Sequence, residues 1–204
     1  MFFRQIKSQG DNFSYIVADE TSKEAAVVDS SYNEAAIERL ILEQGFKLRY
    51  LINTHEHSDH TAGNLKLRQK FHAKVVAHRE STRSHDIEVD DGSTLTVGSI
   101  PMKFLHTPGH SPDSICVVVD RQKLLTGDTL FVGECGRTDM PGGNAGDLYD
   151  SLFNKLMKLD SGIEVYPGHD YGSSASSTID RERRTNYVLK PRSKAEFVEF
   201  MTQP

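Results

Sequence analysis

Thr54-His55-Glu56-His57-Ser58-Asp59-His60 follows directly on the apolar run Arg49–Asn53, and the reading of this stretch decides the rest of the chain. Arg49–Asn53 has the composition of a buried strand. In extended chain, side chains at i and i+2 point the same way, so His55 and His57 converge on one ion. The chain then turns into helical spacing from Ala62, which swings Asp59 and His60 toward a neighbouring position, while Glu56 and Ser58 face away. Imidazole nitrogen and carboxylate oxygen are donors that suit zinc, iron or manganese.

Three further residues stand where predicted strands end in turns: His110 in Thr107-Pro-Gly-His110, Asp128 in Thr126-Gly-Asp128-Thr, and His169 in Tyr166-Pro-Gly-His169. The glycine before each lets the backbone bend so that one side chain projects from the sheet edge, and loops on a rigid scaffold are the usual seat of catalytic groups. A lone His-x-His or Pro-Gly-His is ordinary surface sequence. Four such elements, each at a strand end, read as a site for two adjacent ions with Asp128 shared between them. Of the remaining histidines, His72, His78 and His85 are expected to be surface residues in helix or loop, and His106, four before His110, either supports a metal ligand from behind or, the favoured reading, is structural.

Working outward, short β-type runs cover Phe2–Ile6, Phe13–Ala18 and Ala25–Asp29, with Gly10-Asp11-Asn12 as a turn. A helix is expected over Glu34–Gln44, with Asn33 as N-cap and Gly45 as its stop. A second helix near Ala62–Phe71 precedes a strand at Lys74–Ala77. The second half repeats this grammar, with strands at Ser93–Val97, Met102–His106, Ser114–Val119, Lys123–Thr126 and Glu164–Tyr166. It adds one helix over Asp147–Leu159 and a last helix opened by the capping box Ser193-Lys-Ala-Glu196. Two such halves predict an α/β protein in which two sheets pack face to face with helices on both flanks.

The 204 residues, 37% apolar and 26% charged, suit a single domain spanning 1–204 and exclude a coiled coil, a membrane-spanning chain and a disordered one. The 24 basic and 29 acidic residues give a net charge of -5, which argues against nucleic-acid binding by bulk charge. Met1–Lys7 lacks the apolar core of a signal peptide. Cys116 sits in an apolar run and Cys135 in a Gly-rich loop, a pairing expected of free thiols in a reducing cytoplasm.

These residues resemble the metallo-β-lactamase superfamily pattern of His-x-His-x-Asp-His followed by His, Asp and His, over nearly the whole chain. The resemblance implies an αββα sandwich of two mixed sheets with the metals at one sheet edge. It further implies that His55, His57 and His110 hold a first ion and Asp59, His60 and His169 a second, with Asp128 bridging. The presence of both His60 and Asp128 argues against a true β-lactamase. Gly136-Arg-Thr-Asp-Met-Pro-Gly-Gly143 and the segment Ser177–Asn186 are similar to stretches of short glyoxalase-II-like hydrolases. Cys135–Asp139 and His169-Asp-Tyr171 are also similar to persulfide dioxygenases, a branch that uses one iron(II) on residues matching His55, His110 and Asp128.

In the hydrolase reading, two divalent ions, zinc first and iron or manganese next, lower the pKa of water toward ~7 and supply hydroxide to a thioester carbonyl. Asp59 and Asp128 are the expected catalytic carboxylates, with Asp59 orienting the water or taking its proton. The substrate is expected to be a small thioester or thiol-derived molecule, glutathione-linked. Arg137 either pairs with a substrate carboxylate or closes a salt bridge with Asp139, and Tyr171 either lines the pocket or packs. The basic stretch Arg181–Lys194 reads as a solvated helix face.

Overall fold

A computed structural model describes residues 1–8 and 10–202. Strands β1 (Phe2–Lys7), β2 (Phe13–Ala18), β3 (Glu24–Val28), β4 (Lys47–Ile52), β5 (Lys74–His78) and β6 (Ile87–Val89) form one six-stranded sheet in chain order. Its first three strands pair antiparallel and the rest parallel. Parallel neighbours need crossovers. Helix α1 (Glu34–Glu43) supplies the first, and α2 (Ser58–Thr61) with α3 (Asn64–Phe71) the second.

The second sheet contains β7 (Thr94–Val97), β8 (Ile100–His106), β9 (Ile115–Val119), β10 (Lys123–Gly127), β13 (Glu164–Pro167) and β14 (Ser177–Thr178), in the order β14-β13-β10-β9-β8-β7. Its parallel pair, β10 with β13, brings the ends of those two strands side by side. A small hairpin, β11 (Leu130–Phe131) with β12 (Glu134–Cys135), leaves the end of β10, and α4 (Ala145–Tyr149), α5 (Ile179–Thr185) and α6 (Lys194–Thr202) complete the chain.

Side-chain alternation on β2 shows why the layers stack. Tyr15 and Val17 join Met102, Phe104, Val117 and Leu125 of the second sheet in the central core. Ile16 and Ala18, on the other face, join Ile37 and Ile41 of α1 and Leu67 of α3. On the far side of the second sheet, Leu124 and Val165 meet Leu148, Leu152, Leu156 and Phe197. The result is the helix–sheet–sheet–helix sandwich of the metallo-β-lactamase fold, each fully buried large aliphatic side chain contributing about 1.5–3 kcal/mol.

Local expectations are met or corrected by nameable contacts. The Ser193–Glu196 box forms: the Ser193 N–H donates to Glu196 Oε2 at 2.6 Å, and the Glu196 N–H to Ser193 Oγ at 3.3 Å. Asn33 does not cap α1; its side-chain amide donates instead to the Ile6 carbonyl and to Ser14 Oγ. The helix expected over Asp147–Leu159 is interrupted. After α4 the backbone widens into a π-helical segment, Asp150–Lys155, then tightens into a 3-10 turn, Leu156–Lys158. Ser151 Oγ within it donates to the Pro108 carbonyl at 2.7 Å, and Leu148, Leu152 and Leu156 stay in the core throughout.

His78 corrects the sequence reading most plainly. It lies on β5, 3% exposed, and its ring stacks on His106 with centroids 3.8 Å apart, because the second sheet covers that strand end. His106 is a packing residue as expected, its Nε2 2.8 Å from the Pro112 carbonyl. His72 is exposed at the end of α3 and His85 is half-buried in a loop. No helix among the described residues is long and apolar enough to cross a membrane.

Candidate metal centre

The four sequence elements singled out above meet at one end of the sandwich, at the C-terminal ends of β4, β10 and β13 and in the turn between β8 and β9. Backbone shape places them. Gly109 (φ 140°) turns the chain into His110 so close to α4 that a Cβ would stand 2.4 Å from the Leu148 backbone. Gly168 lies outside the positive-φ region, so its need is for room rather than for a bend: a Cβ there would sit 2.4 Å from Asp128 Oδ1.

Seven side chains converge in three overlapping triads: His55, His57 and His110; His55, His60 and Asp128; and Asp59, His60 and His169. The potential ligand atoms within each lie within 4.8 Å of one another. His57 Nδ1 is 2.9 Å from His55 Nε2 and 3.0 Å from His110 Nε2, and His60 Nε2 faces His169 Nε2 at 3.2 Å. Asp128 stands between the groups, with Oδ2 3.6 Å from His110 Nε2 and 3.3 Å from His169 Nε2, and Oδ1 3.3 Å from His60 Nε2. Asp59 Oδ2 lies 3.4 Å from His60 and 3.3 Å from His169.

Burial and mutual charge divide the protons unevenly. Burial, aided by neighbouring His60, holds the His55 imidazole well below its usual range, and burial also lowers His110. For His60, burial is outweighed by Asp128 and Asp29, which raise it strongly; for His169, burial is outweighed by hydrogen bonds to Asp128 and Asp59, which push it up to about 10. Both Asp59 and Asp128 are held well below the carboxylate range, against burial, by His60 and His169.

Ring nitrogens that face each other at such distances need a proton or a cation between them, and divalent metals take the place of such protons. Asp128 Oδ1 is buried and has no hydrogen-bond partner among the described residues, an orphan acceptor that a cation satisfies. Nitrogen and carboxylate donors, all deprotonatable, therefore fit divalent ions of the zinc, iron or manganese kind.

Three residues that sequence reasoning did not single out hold these groups in place. Asp29 lies 2.8 Å from His60 Nδ1 and accepts from the Thr54 N–H and hydroxyl. The Asn12 amide donates to Asp59 Oδ2 at 3.0 Å, and Asp11 lies 3.1 Å from His169 Nδ1. The β1–β2 turn thus folds over the site. Its only signal in the sequence is the pair of short polar residues Asp11-Asn12, which any turn carries. Glu56 faces away, as expected, and accepts from the Thr82 N–H and hydroxyl.

A cavity of about 190 Å³ opens beside Asp128, lined by His110, Phe131, Glu134, Cys135, Arg137 and Tyr171. A roomier hollow of about 690 Å³, between Tyr32, Asn53, Leu65, Arg68 and Arg83, touches none of the seven clustered residues, whereas the smaller one adjoins His110 and Asp128. Arg137 pairs through two nitrogens with Asp139 at 2.6 Å, while its carbonyl lies 2.9 Å from His110 Nδ1. Tyr171 is 55% exposed and stacks flat on His169 at 4.8 Å; burial and the nearby carboxylates push its phenol up to about 12, so it remains a donor at neutral pH.

Cys116 and Cys135 are both free thiols, each pushed up by burial, Cys116 to about 11. The basic stretch is engaged locally: Arg184 with Asp180, Lys194 with Asp150, and Arg183 with the Met157 carbonyl.

Comparison with known proteins returns one consistent neighbourhood. A family profile described as Metallo-beta-lactamase superfamily matches residues 9–169. The mitochondrial persulfide dioxygenase ETHE1 of Homo sapiens is 35% identical over 192 residues, covering 93% of this chain and 75% of that protein. Hydroxyacylglutathione hydrolase of Anaeromyxobacter dehalogenans is 32% identical over 175 residues, covering 85% and 67%. The crystal structure of ETHE1 from Myxococcus xanthus superposes with a TM-score of 0.92 at 33% identity, covering 100% of this chain and 92% of that one.

Proposed function

The chain belongs to the metallo-beta-lactamase superfamily, whose members bind divalent metals and include the enzymes matched above, and from that premise we propose that it is a metal-dependent thioester hydrolase. The observation that carries this reading is the arrangement of two donor triads, His55-His57-His110 and Asp59-His60-His169, on either side of Asp128. One triad would hold each ion, and Asp128 would touch both. Divalent ions bound there supply Lewis acidity and an acidified water.

The protein's own groups have separate tasks in this reaction. Asp59, kept ionised and steadied by the Asn12 amide, orients the attacking water by accepting its hydrogen bond. Phe131 and Tyr171, whose rings meet at 5.0 Å, form the wall of the cavity against which the acyl thioester lies. Arg137 lines the mouth with its Nε and Nη2 taken by Asp139, so an anionic carrier such as glutathione would be met there by Nη1. No protein nucleophile is required, so the raised Cys116 and Cys135 thiols are spectators. Their free state suits the reducing cytoplasm, the compartment proposed for the activity.

A second reading, oxidation of glutathione persulfide with one iron on His55, His110 and Asp128, is favoured by one observation: likeness to the dioxygenases extends over nearly all of this chain and of the bacterial structure. One experiment separates the two. Protein purified without added metal or chelator is analysed for metal content, then assayed with a hydroxyacylglutathione thioester and, by oxygen uptake, with glutathione persulfide. About two ions per chain with thioester cleavage is the expected result. One iron with oxygen uptake assigns the second reading in its place, and turnover of neither substrate overturns both.

A further inference from the structure

The cavity beside Asp128 owes one wall to a hairpin that is too small to hold itself. Strands β11 and β12 pair through only Leu130 with Cys135 and Phe131 with Glu134, and a two-stranded ribbon of that length has no independent stability. Phe131, Glu134, Cys135 and, just beyond, Arg137 all line the cavity, so hairpin position sets its shape.

The hairpin is anchored by a buried carboxylate from α5. Glu182 is 1% exposed, and none of the described residues pairs with it as a cation. Its Oε2 accepts the Gly133 N–H at 2.8 Å and the Asn186 side-chain amide at 2.9 Å, and its Oε1 accepts the Ser177 hydroxyl. The same Asn186 amide reaches the Glu134 carbonyl at 3.1 Å, and the Tyr187 hydroxyl donates to the Glu134 carboxylate. A carboxylate buried among neutral donors is costly unless hydrogen bonds compensate for its lost hydration. Here those donors come from the tip of the hairpin, from α5's own end and from β14, so one group ties three segments together.

We propose that Glu182, with Asn186, is a positioning latch that holds the β11–β12 hairpin at the cavity and so governs substrate acceptance without touching substrate. The role in acceptance rests on the hydrolase or dioxygenase reading above; the latch itself does not. Release of the hairpin uncovers Cys135, which is 6% exposed within it, while Cys116, 0% exposed in β9, reports on the sandwich.

The test is alkylation by iodoacetamide of metal-loaded wild type, Glu182→Ala and Glu182→Gln, read separately at the two cysteines by peptide mass spectrometry. In Glu182→Ala, Cys135 is expected to react about tenfold faster with Cys116 still protected, as local opening requires. Glu182→Gln retains an acceptor for Gly133 and is expected to stay close to wild type. On whichever substrate the wild type turns over, Glu182→Ala is expected to raise KM about fivefold with kcat within about twofold, the pattern of lost uniform binding. If Glu182→Ala does not fold, Asn186→Ala carries the same expectations. Unchanged Cys135 reactivity, or a parallel rise at both cysteines, overturns the latch. A fall in kcat at unchanged KM overturns its role in acceptance. A wild type that turns over neither substrate sinks the functional reading alone, because the alkylation ratio still decides the latch.

Discussion

Asp29 Oδ2 lies 2.8 Å from His60 Nδ1, and both side chains are sealed from solvent, 1% and 0% exposed. The contact spans 31 residues of sequence and joins the end of β3 to α2. With Nδ1 held this way, His60 is left to present Nε2 toward Asp59, Asp128 and His169. The same carboxylate takes the Thr54 N–H, so one residue fixes both the ring and the turn that leads into the histidine stretch.

Asp29→Asn is therefore expected to weaken metal binding by about 10–100-fold, the usual effect of removing a carboxylate that orients a ligating imidazole. On the two-ion reading proposed above, the loss should fall on the ion that Asp59, His60 and His169 would hold and spare the one that His55, His57 and His110 would hold. Competition titration against a chromophoric chelator measures this as two separate steps. Two steps both unchanged from wild type would show that Asp29 does no more than brace the turn.

His78 gives the fold a dependence on acid that is separate from the metal ligands. Burial and the stacked His106 ring lower its imidazole to about 4, against 6.5 in the unfolded chain. A depressed histidine makes no difference to stability above the unfolded value, where both states are neutral. As pH falls from 6.5 to 4 the unfolded chain takes up the proton and the folded protein does not, so stability is lost across that window and the loss levels off below it. The loss is on the order of 1–3 kcal/mol. His78→Phe, which keeps a ring on His106, should show a shallower fall of the urea midpoint between pH 6.5 and 4 than wild type, the metal ligands being common to both. Parallel slopes would remove His78 from the account.

What the sequence made legible was local. His55 and His57 could be paired because a strand repeats every two residues, and Leu148, Leu152 and Leu156 could be placed on one face because a helix repeats near four. That same spacing is compatible with an α, π or 3-10 turn, so the widening at Asp150–Lys155 left no trace in the pattern. Strands β11, β12 and β14 have two residues each, too few for any period. Asp29 and Asn12 meet their partners across 31 and 47 residues, and nothing in a polar residue beside a turn announces such a contact. The position of Glu182 was visible as part of a motif, but its buried contact with Gly133, 49 residues away, was not.

Gly109 joins the two levels, because a local backbone need there serves a distant ligand. Its φ of 140° suits no side chain, and an added Cβ would meet Leu148 Cα, Cβ and N at 2.4–2.5 Å, backbone that α4 cannot yield. The strain and the collision act together, so Gly109→Ala is expected to destabilise the protein by about 2–4 kcal/mol. The Gly109 carbonyl also accepts the Asn144 N–H at 2.8 Å, and Asn144 caps α4, so a displaced turn loosens that helix end as well as His110. Urea unfolding of the metal-loaded and metal-stripped forms measures both consequences. The metal-stripped variant should show the direct loss, and the metal-loaded variant a larger one, because His110 no longer meets His55 and His57. Equal losses in the two forms would mean that the turn serves the fold alone.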